Sequence, residues 1–276
     1  MMKIKAWTGA WLLVAILFAG TALAGTALAG TALAGTALAG TALAGTALAA
    51  DTLRIASGER RVNLVELYTS EGCSSCPPAE AWLNGFLQEE GLWSRVIPLA
   101  FHVDYWDYIG WKDRFAQARF SDRQYRYQRE GGIRTVYTPG MLLNGKEWRR
   151  WLNQRPAEAD ERVGSLSLEL DGDQIRARFE AVGQPPGTLR LHLAVLAFGL
   201  TSEVAAGENR GRELAHEFVV VGLNASDATE LNWQAQLPEI RPTGATRHAL
   251  VAWVSEPDSQ RPIQAAGGWL PKSPGR

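Results

Sequence analysis

The chain has 276 residues, 46% of them hydrophobic and 21% charged, which is typical of a globular protein and excludes a disordered chain or a coiled coil. Its 28 basic and 29 acidic side chains give a formal net charge of −1. Because no basic excess is available to bind a phosphate backbone, we expect no nucleic acid partner.

Residues 1–50 are predicted to be a signal peptide. Lys3 and Lys5 form a short positive region, and an apolar stretch follows at 11–19. The repeat Thr-Ala-Leu-Ala-Gly comes next, and each copy offers the small-residue site that signal peptidase requires. We therefore expect cleavage before Asp51 and a periplasmic or secreted protein. Membrane association is expected only if the segment stays uncleaved.

Residues 51–160 are predicted to alternate strands and helices around a β-α-β sheet. Apolar runs indicate the strands, and helical spacing of apolar residues after a Pro-Pro pair indicates a helix. In chain order, the predicted elements are a strand at 62–68, a helix between Pro77 and Gly91, a strand at 96–103, a helix from about 112 to 130, and an apolar stretch at 138–143 that turns at Asn144-Gly145.

Residues 161–276 are predicted to form a second, mainly antiparallel domain that resembles a β-sandwich. Apolar and polar residues alternate here in short runs, and glycine and proline clusters separate the runs. The predicted strands lie at 166–170, 175–179, 189–198, 217–221, 231–237 and 249–254.

Cys73 and Cys76 are the two cysteines of the chain. In an exported protein they are expected to form a disulfide, and so short a loop stabilises the fold little. A zinc site needs four ligands, and of the four histidines only His102 lies in the same region. We therefore expect no metal and no cofactor, and we predict chemistry at the cysteine pair itself.

The cysteine pair is predicted to lie where a strand ends and a helix begins. There Cys73 would be near the helix N-terminus, which favours the thiolate form. A Cys73 thiolate would attack a disulfide, and Cys76 would resolve the mixed disulfide. The intervening Ser74-Ser75 leaves the redox direction open.

The segment that ends in Thr138-Pro139 and continues to Gly145 resembles the thioredoxin signature, in which a cis-proline precedes a strand and a tight turn. The resemblance implies that Pro139 is cis and packs against the cysteine pair. It also implies that the backbone of Thr138 pairs with bound substrate. A trans-proline that simply starts a strand is the alternative.

The strand before the cysteines resembles the thioredoxin strand that carries a buried acid. The resemblance implies that Glu66 accepts a proton from Cys76, with a pKa raised by burial. One extra residue separates this acid from the first cysteine, and Glu replaces the usual Asp. Exposure of Glu66 on a sheet edge is an equally open alternative.

Three segments together resemble an exported bacterial family of thioredoxin-like proteins known only as a domain of unknown function. They are residues 66–79, which contain the Cys-Ser-Ser-Cys-Pro-Pro motif, the aromatic segment 102–111, and the glycine-rich loop 207–212. The resemblance implies a thioredoxin-like first domain and export, and it supplies no substrate.

The aromatic segment 102–111 follows a buried strand, where α/β sheets place their sites. It would form a substrate wall beside Cys73, lined by Trp106, with His102 or Asp104 tuning proton transfer. Alternatively it is a structural aromatic cluster in which Asp107 or Asp104 caps the next helix.

The sequence supports three functions. A thiol–disulfide oxidoreductase would act on protein or small-molecule thiols and disulfides. A non-catalytic binding protein would keep the disulfide for structure alone. A Cu(I) carrier would use two thiolates, with His102 as a possible third ligand.

Overall fold

The computed structural model describes residues 52–184 and 187–271. The predicted signal peptide at 1–50 lies outside the described residues. Within them, no helix is both long enough and apolar enough to cross a membrane.

Two α-helices and fourteen strands are present in the described part of the chain. They are β1 Leu53–Ala56, β2 Asn63–Thr69, α1 Pro77–Asn84, β3 Val96–His102, α2 Ala118–Arg129, β4 Gly140–Leu143, β5 Lys146–Glu147, β6 Gly164–Asp171, β7 Gln174–Ala181, β8 Leu189–Phe198, β9 Leu200–Glu203, β10 Glu213–His216, β11 Val219–Ala228, β12 Asn232–Gln236, β13 Arg247–Ser255 and β14 Gln264–Trp269.

The main sheet has eight strands in the order β14-β13-β8-β11-β3-β2-β4-β5. Strands β2 and β3 are parallel, and β4 is antiparallel to β2. Strand β11 joins the two parts of the sheet by pairing in parallel with β3, Val219 opposite Ala100. One sheet therefore runs through both predicted regions, and the boundary near residue 160 stays a prediction.

A second, antiparallel sheet has the order β1-β6-β7-β12. Its buried face carries alternate residues such as Leu166 and Leu168, which pack against Leu191 and Leu250 of the main sheet. This alternation arises because successive strand residues point to opposite faces. The protein is a mixed α/β fold that consists mainly of β-sheet.

The turn between β4 and β5 forms where Asn144-Gly145 predicts it. Both residues have positive φ, 50° and 75°, as a two-residue hairpin turn requires. The helix predicted from about residue 112 begins instead at Ala118, so its predicted start is wrong. Before it, the Asp113 side chain accepts the Phe115 N–H, a local bond that competes with helix formation.

Candidate active site

The cysteine pair lies in the turn between β2 and α1. Cys73 and Cys76 form a disulfide with their Cα atoms 5.4 Å apart, and Cys76 is the residue immediately before α1. The turn is fixed by the Cys73 N–H, which donates to the carbonyl of Ser70 at 3.1 Å. Ser75 Oγ lies 3.3 Å from Cys73 Sγ, close enough to stabilise a thiolate there. Both cysteines are buried, Cys73 with 1% of its surface exposed.

The Thr138–Pro139 peptide bond is cis. Strand β4 begins one residue later, and its Gly140 pairs with Tyr68 near the end of β2. Because the chain leaves the end of β2 directly into the cysteine turn, this register places Pro139 beside the start of that turn. The sheet thus brings the proline and the cysteines to the same edge.

Trp106 connects the cysteine turn to the proline loop. Its indole N–H donates to Thr138 Oγ1 at 2.7 Å. On the other side, a Cβ added to Gly72 would lie 3.2 Å from Trp106 Cβ and from Ile109 Cδ1. Glycine allows this close approach, which real side chains rarely tolerate. The aromatic segment therefore packs directly against the cysteine turn.

Asp104 bonds to α2. The Asp104 carboxylate accepts a hydrogen bond from the Ser121 hydroxyl at 2.5 Å. The backbone N–H of Asp104 donates to Ser121 Oγ at 3.2 Å. These contacts tie the loop to α2, but Asp104 does not cap that helix, whose N-cap residue is Gln117.

Glu66 is fully buried and has its hydrogen-bond partners on α2 and on its own strand. Its carboxylate receives Arg123 Nε at 3.0 Å, the Tyr127 hydroxyl at 2.5 Å and the Tyr68 hydroxyl at 3.1 Å. Thr69, three residues later on the same strand, contacts α1 instead. Since strand residues an odd number apart point to opposite faces, Glu66 faces away from α1. Its role as proton acceptor for Cys76 stays a prediction.

The loop 207–212 lies against the cysteine turn, although it comes from the second predicted region. Asn209 is fully buried, and its side-chain amide donates to the carbonyls of Glu71 and Cys73 at 2.8 and 3.0 Å. Glu208 accepts the Ser74 N–H at 2.9 Å. The loop therefore holds the backbone of the turn and helps to bury the disulfide.

A buried cluster of acids and histidines lies beside this turn. Its members have at most 5% of their surface exposed: Glu71, Glu80, His102, Asp113 and His216. His216 Nδ1 lies 2.5 Å from Glu80, and its Nε2 lies 3.3 Å from Glu71. His102 Nδ1 lies 2.7 Å from Asp113.

The electrostatics of the cluster follow from these contacts. Burial by itself lowers the pKa of His216, but the adjacent carboxylates of Glu71 and Glu80 raise it to about 10. Burial by itself raises the pKa of Glu80, but the hydrogen bond from His216 lowers it, and the resulting pKa is below the ordinary value. The two carboxylates on either side of His216 thus favour its imidazolium form.

Of this cluster, the sequence pattern predicted a functional role for His102 alone. Glu80 occupies the buried face of α1 with Ala79 and Leu83, an acid within an apolar helical pattern. His216 alternates with exposed residues and shares the buried face of β10 with Leu214. In both cases, a titratable residue at a position where the pattern calls for an apolar one could have indicated the site.

Fold and site together define an α/β protein with a buried Cys-x-x-Cys disulfide at a strand-to-helix turn, beside a cis-proline. The family described as "Protein of unknown function (DUF1223)" matches residues 64–255. The chain belongs to this family, which confirms the family resemblance of the sequence. No curated protein matches the chain.

Two solved structures are similar to this chain. The protein AGR_C_4864 from Agrobacterium tumefaciens is 23% identical with a TM-score of 0.55, covering 79% of this chain and 98% of its own. HBP35 of Porphyromonas gingivalis is 15% identical with a TM-score of 0.48, covering 80% of each chain. At 23% identity the likeness to the first structure concerns the fold alone.

Proposed function

We propose that the chain is an exported thiol–disulfide oxidoreductase with a thioredoxin-like first region, acting in the periplasm or outside the cell. The observation that carries the proposal is the Cys73–Cys76 disulfide at the start of α1, with cis-Pro139 at the same sheet edge. The absence of further cysteines from the sequence also favours chemistry at this pair over a disulfide scaffold.

The reaction is disulfide exchange. In the reduced protein, the Cys73 thiolate attacks one sulfur of a substrate disulfide, forms a mixed disulfide and releases the other sulfur as a thiolate. Cys76, deprotonated, then attacks Cys73 Sγ and releases the second substrate thiolate. The substrate gains two electrons and the protein dithiol loses two. Oxidation of a substrate dithiol follows the same steps in reverse.

Each side chain near the pair has a defined part in this proposal. Ser75 donates its hydroxyl to the Cys73 thiolate, and the thiolate form is the nucleophile. Thr138 offers its backbone to the substrate chain, and Trp106 fixes the Thr138 side chain through the indole N–H. Because Cys73 is buried in the oxidised protein, substrate access requires that the loop 207–212 move away from the turn.

A trapping experiment tests the order of attack. The reduced Cys76→Ser variant, mixed with oxidised glutathione, is expected to accumulate a mixed disulfide at Cys73, detectable by mass spectrometry. The matched Cys73→Ser variant is expected to react far more slowly, since the Ser75 hydroxyl lies 3.3 Å from Cys73 Sγ and can stabilise a thiolate there. Equal labelling of both variants, or none of either, would contradict the proposal.

Burial of both cysteines favours a second candidate function. An interaction protein would keep the disulfide only to fix the turn, with the β-rich region as its working surface. Such a bridge would resist reduction by glutathione, because structural disulfides have potentials below about −300 mV. The two candidates therefore differ in one measurable quantity, the reduction potential of the pair.

A further inference from the structure

Part of the buried cluster has the geometry of a metal site. Glu80, His102 and His216 each offer a ligand atom, and these atoms lie within 4.8 Å of one another. The three residues come from α1, β3 and β10, so three separate elements converge on one point. None of them exposes more than 5% of its surface.

A buried ring nitrogen without a partner also points to a ligand at this site. Asp113 engages His102 Nδ1, which leaves Nε2 as the free ring nitrogen. Within residues 52–184 and 187–271, His102 Nε2 has no hydrogen-bond partner, whereas His216 lies between Glu80, 2.5 Å from its Nδ1, and Glu71, 3.3 Å from its Nε2. A buried polar atom without a partner destabilises the folded protein. Coordination of a cation would satisfy His102 Nε2.

The surrounding contacts are those that orient metal ligands. A ligating histidine usually donates its other ring N–H to a carboxylate, as His102 can to Asp113 at 2.7 Å. Glu80 Oε1 accepts the Thr69 hydroxyl at 2.6 Å, and Glu71 Oε2 accepts the Trp111 indole N–H at 2.7 Å. Each acid thus keeps its second oxygen on the side of the histidines.

Charge also favours a cation. Three buried carboxylates, those of Glu71, Glu80 and Asp113, face two imidazoles. One negative charge remains even when both histidines are protonated. Uncompensated charge is costly in a protein interior, and a bound cation would remove that cost.

We propose that Glu80, His102 and His216 bind a divalent transition-metal ion, zinc foremost, through His102 Nε2 and His216 Nδ1, with Glu71 orienting His216 from its other ring nitrogen. Two imidazoles with carboxylate oxygen suit zinc, whereas Ca²⁺ and Mg²⁺ prefer oxygen alone and Cu(I) prefers sulfur. Ligand atoms around tetrahedral zinc lie about 3.3 Å apart, so binding draws the three side chains together by about 1.5 Å or less. The sequence led us to expect no metal because only His102 lies near the cysteines in the chain. His216 comes from the second predicted region and reaches the site through the fold.

Because the site is closed to solvent, its role is structural. The ion would fasten β10 to β3 and to α1, the helix that begins at the disulfide. The inference does not depend on the redox proposal, since no cysteine takes part in binding.

Zinc binding to the oxidised, untagged full chain tests the inference. After dialysis against a chelator, the protein is titrated with Zn²⁺ in competition with a chromophoric chelator. We expect one ion per chain. His216→Gln is expected to weaken binding by at least about 100-fold and Asp113→Asn by about 10- to 100-fold. His248→Gln, a partly buried histidine outside the cluster, is the matched control and should bind as the wild type does.

A spectroscopic measurement covers the case in which a variant fails to fold. X-ray absorption of the zinc-loaded wild type should show two imidazole nitrogens, oxygen ligands and no sulfur. Absence of zinc binding by the wild type would overturn the inference. Sulfur in the coordination sphere, or equal losses of affinity in His216→Gln and His248→Gln, would also overturn it.

Discussion

Replacing Glu66 by Gln tests whether this buried acid serves the fold or the cysteines. The carboxylate is fully buried and is paired with Arg123, which has 1% of its side chain exposed. Gln keeps the shape but removes the charge, so the Arg123 guanidinium is left buried without its counter-charge. Breaking a buried ion pair in this way costs about 3–5 kcal/mol.

The other hydrogen bonds of Arg123 determine where in that range the loss of stability falls. Arg123 keeps hydrogen bonds to Gln260 Oε1 at 3.0 Å and to the Tyr127 hydroxyl at 3.2 Å, so we expect a loss of about 3 kcal/mol. For a chain of this size, that corresponds to a fall in Tm of roughly 6–12 °C. Urea denaturation and thermal unfolding measure it. Glu169→Gln, at an exposed ion pair with Arg54, is the control and should change stability by less than about 1 kcal/mol.

The same variant separates the two roles of Glu66. Because its carboxylate contacts α2 and faces away from α1, we expect the reduction potential of the cysteine pair to change by less than about 30 mV, the equivalent of 1.4 kcal/mol. A larger shift with little loss of stability would refute this reasoning and support Glu66 as the proton acceptor for Cys76.

Two further predictions concern the loop over the disulfide and a buried histidine. Asn209→Ala removes two hydrogen bonds to the cysteine turn, so dithiothreitol should reduce the disulfide at least about tenfold faster. The control Asn232→Ala, at an exposed position, should leave the rate of reduction unchanged. An unchanged rate in Asn209→Ala would show that the loop does not limit access to the disulfide. Burial, together with nearby arginines such as Arg123, lowers the pKa of His192 well below its ordinary value. Below about pH 6.5 the unfolded chain therefore binds a proton that the folded chain does not, and stability falls by up to about 1.4 kcal/mol per pH unit. His192→Gln should flatten the change in urea midpoint between pH 7.5 and 5.5, and an equal slope in both proteins would contradict the assignment.

Local patterns in the sequence predicted most of the strands. The strand predicted at 189–198 has those bounds in the structure, because its apolar run is buried on both faces. The turn at Asn144-Gly145 and the helix start at Pro77 also follow from local chemistry. These features depend on neighbours in the chain, which the sequence displays directly.

Long-range pairing was beyond local reasoning. Strand β11 joins β3 through Val219 and Ala100, residues that are far apart in the sequence. The same connection brings β10 and its His216 beside Glu71 and Glu80. The residue pattern of β3 gives no indication that it pairs with β11, and the pattern of β11 gives none that it pairs with β3. The cysteine pair was therefore identified, whereas the histidine and acid cluster beside it was found only in the structure.

The start of α2 shows how such contacts alter local structure. Composition favours a helix from about residue 112, but Asp113 is drawn into the cluster with His102 and also accepts the Glu71 N–H. Just before the helix begins, the Gln117 N–H donates to the carbonyl of His102 at the end of β3. Tertiary hydrogen bonds here outweigh helix propensity.

The reduction potential of the Cys73–Cys76 pair tests the redox proposal most directly. The full chain is equilibrated in glutathione buffers of graded ratio, and the oxidised fraction is measured by thiol labelling and mass spectrometry. We predict a potential above about −300 mV, within reach of thiol–disulfide exchange. A potential below that value would identify the disulfide as structural and contradict the proposed function.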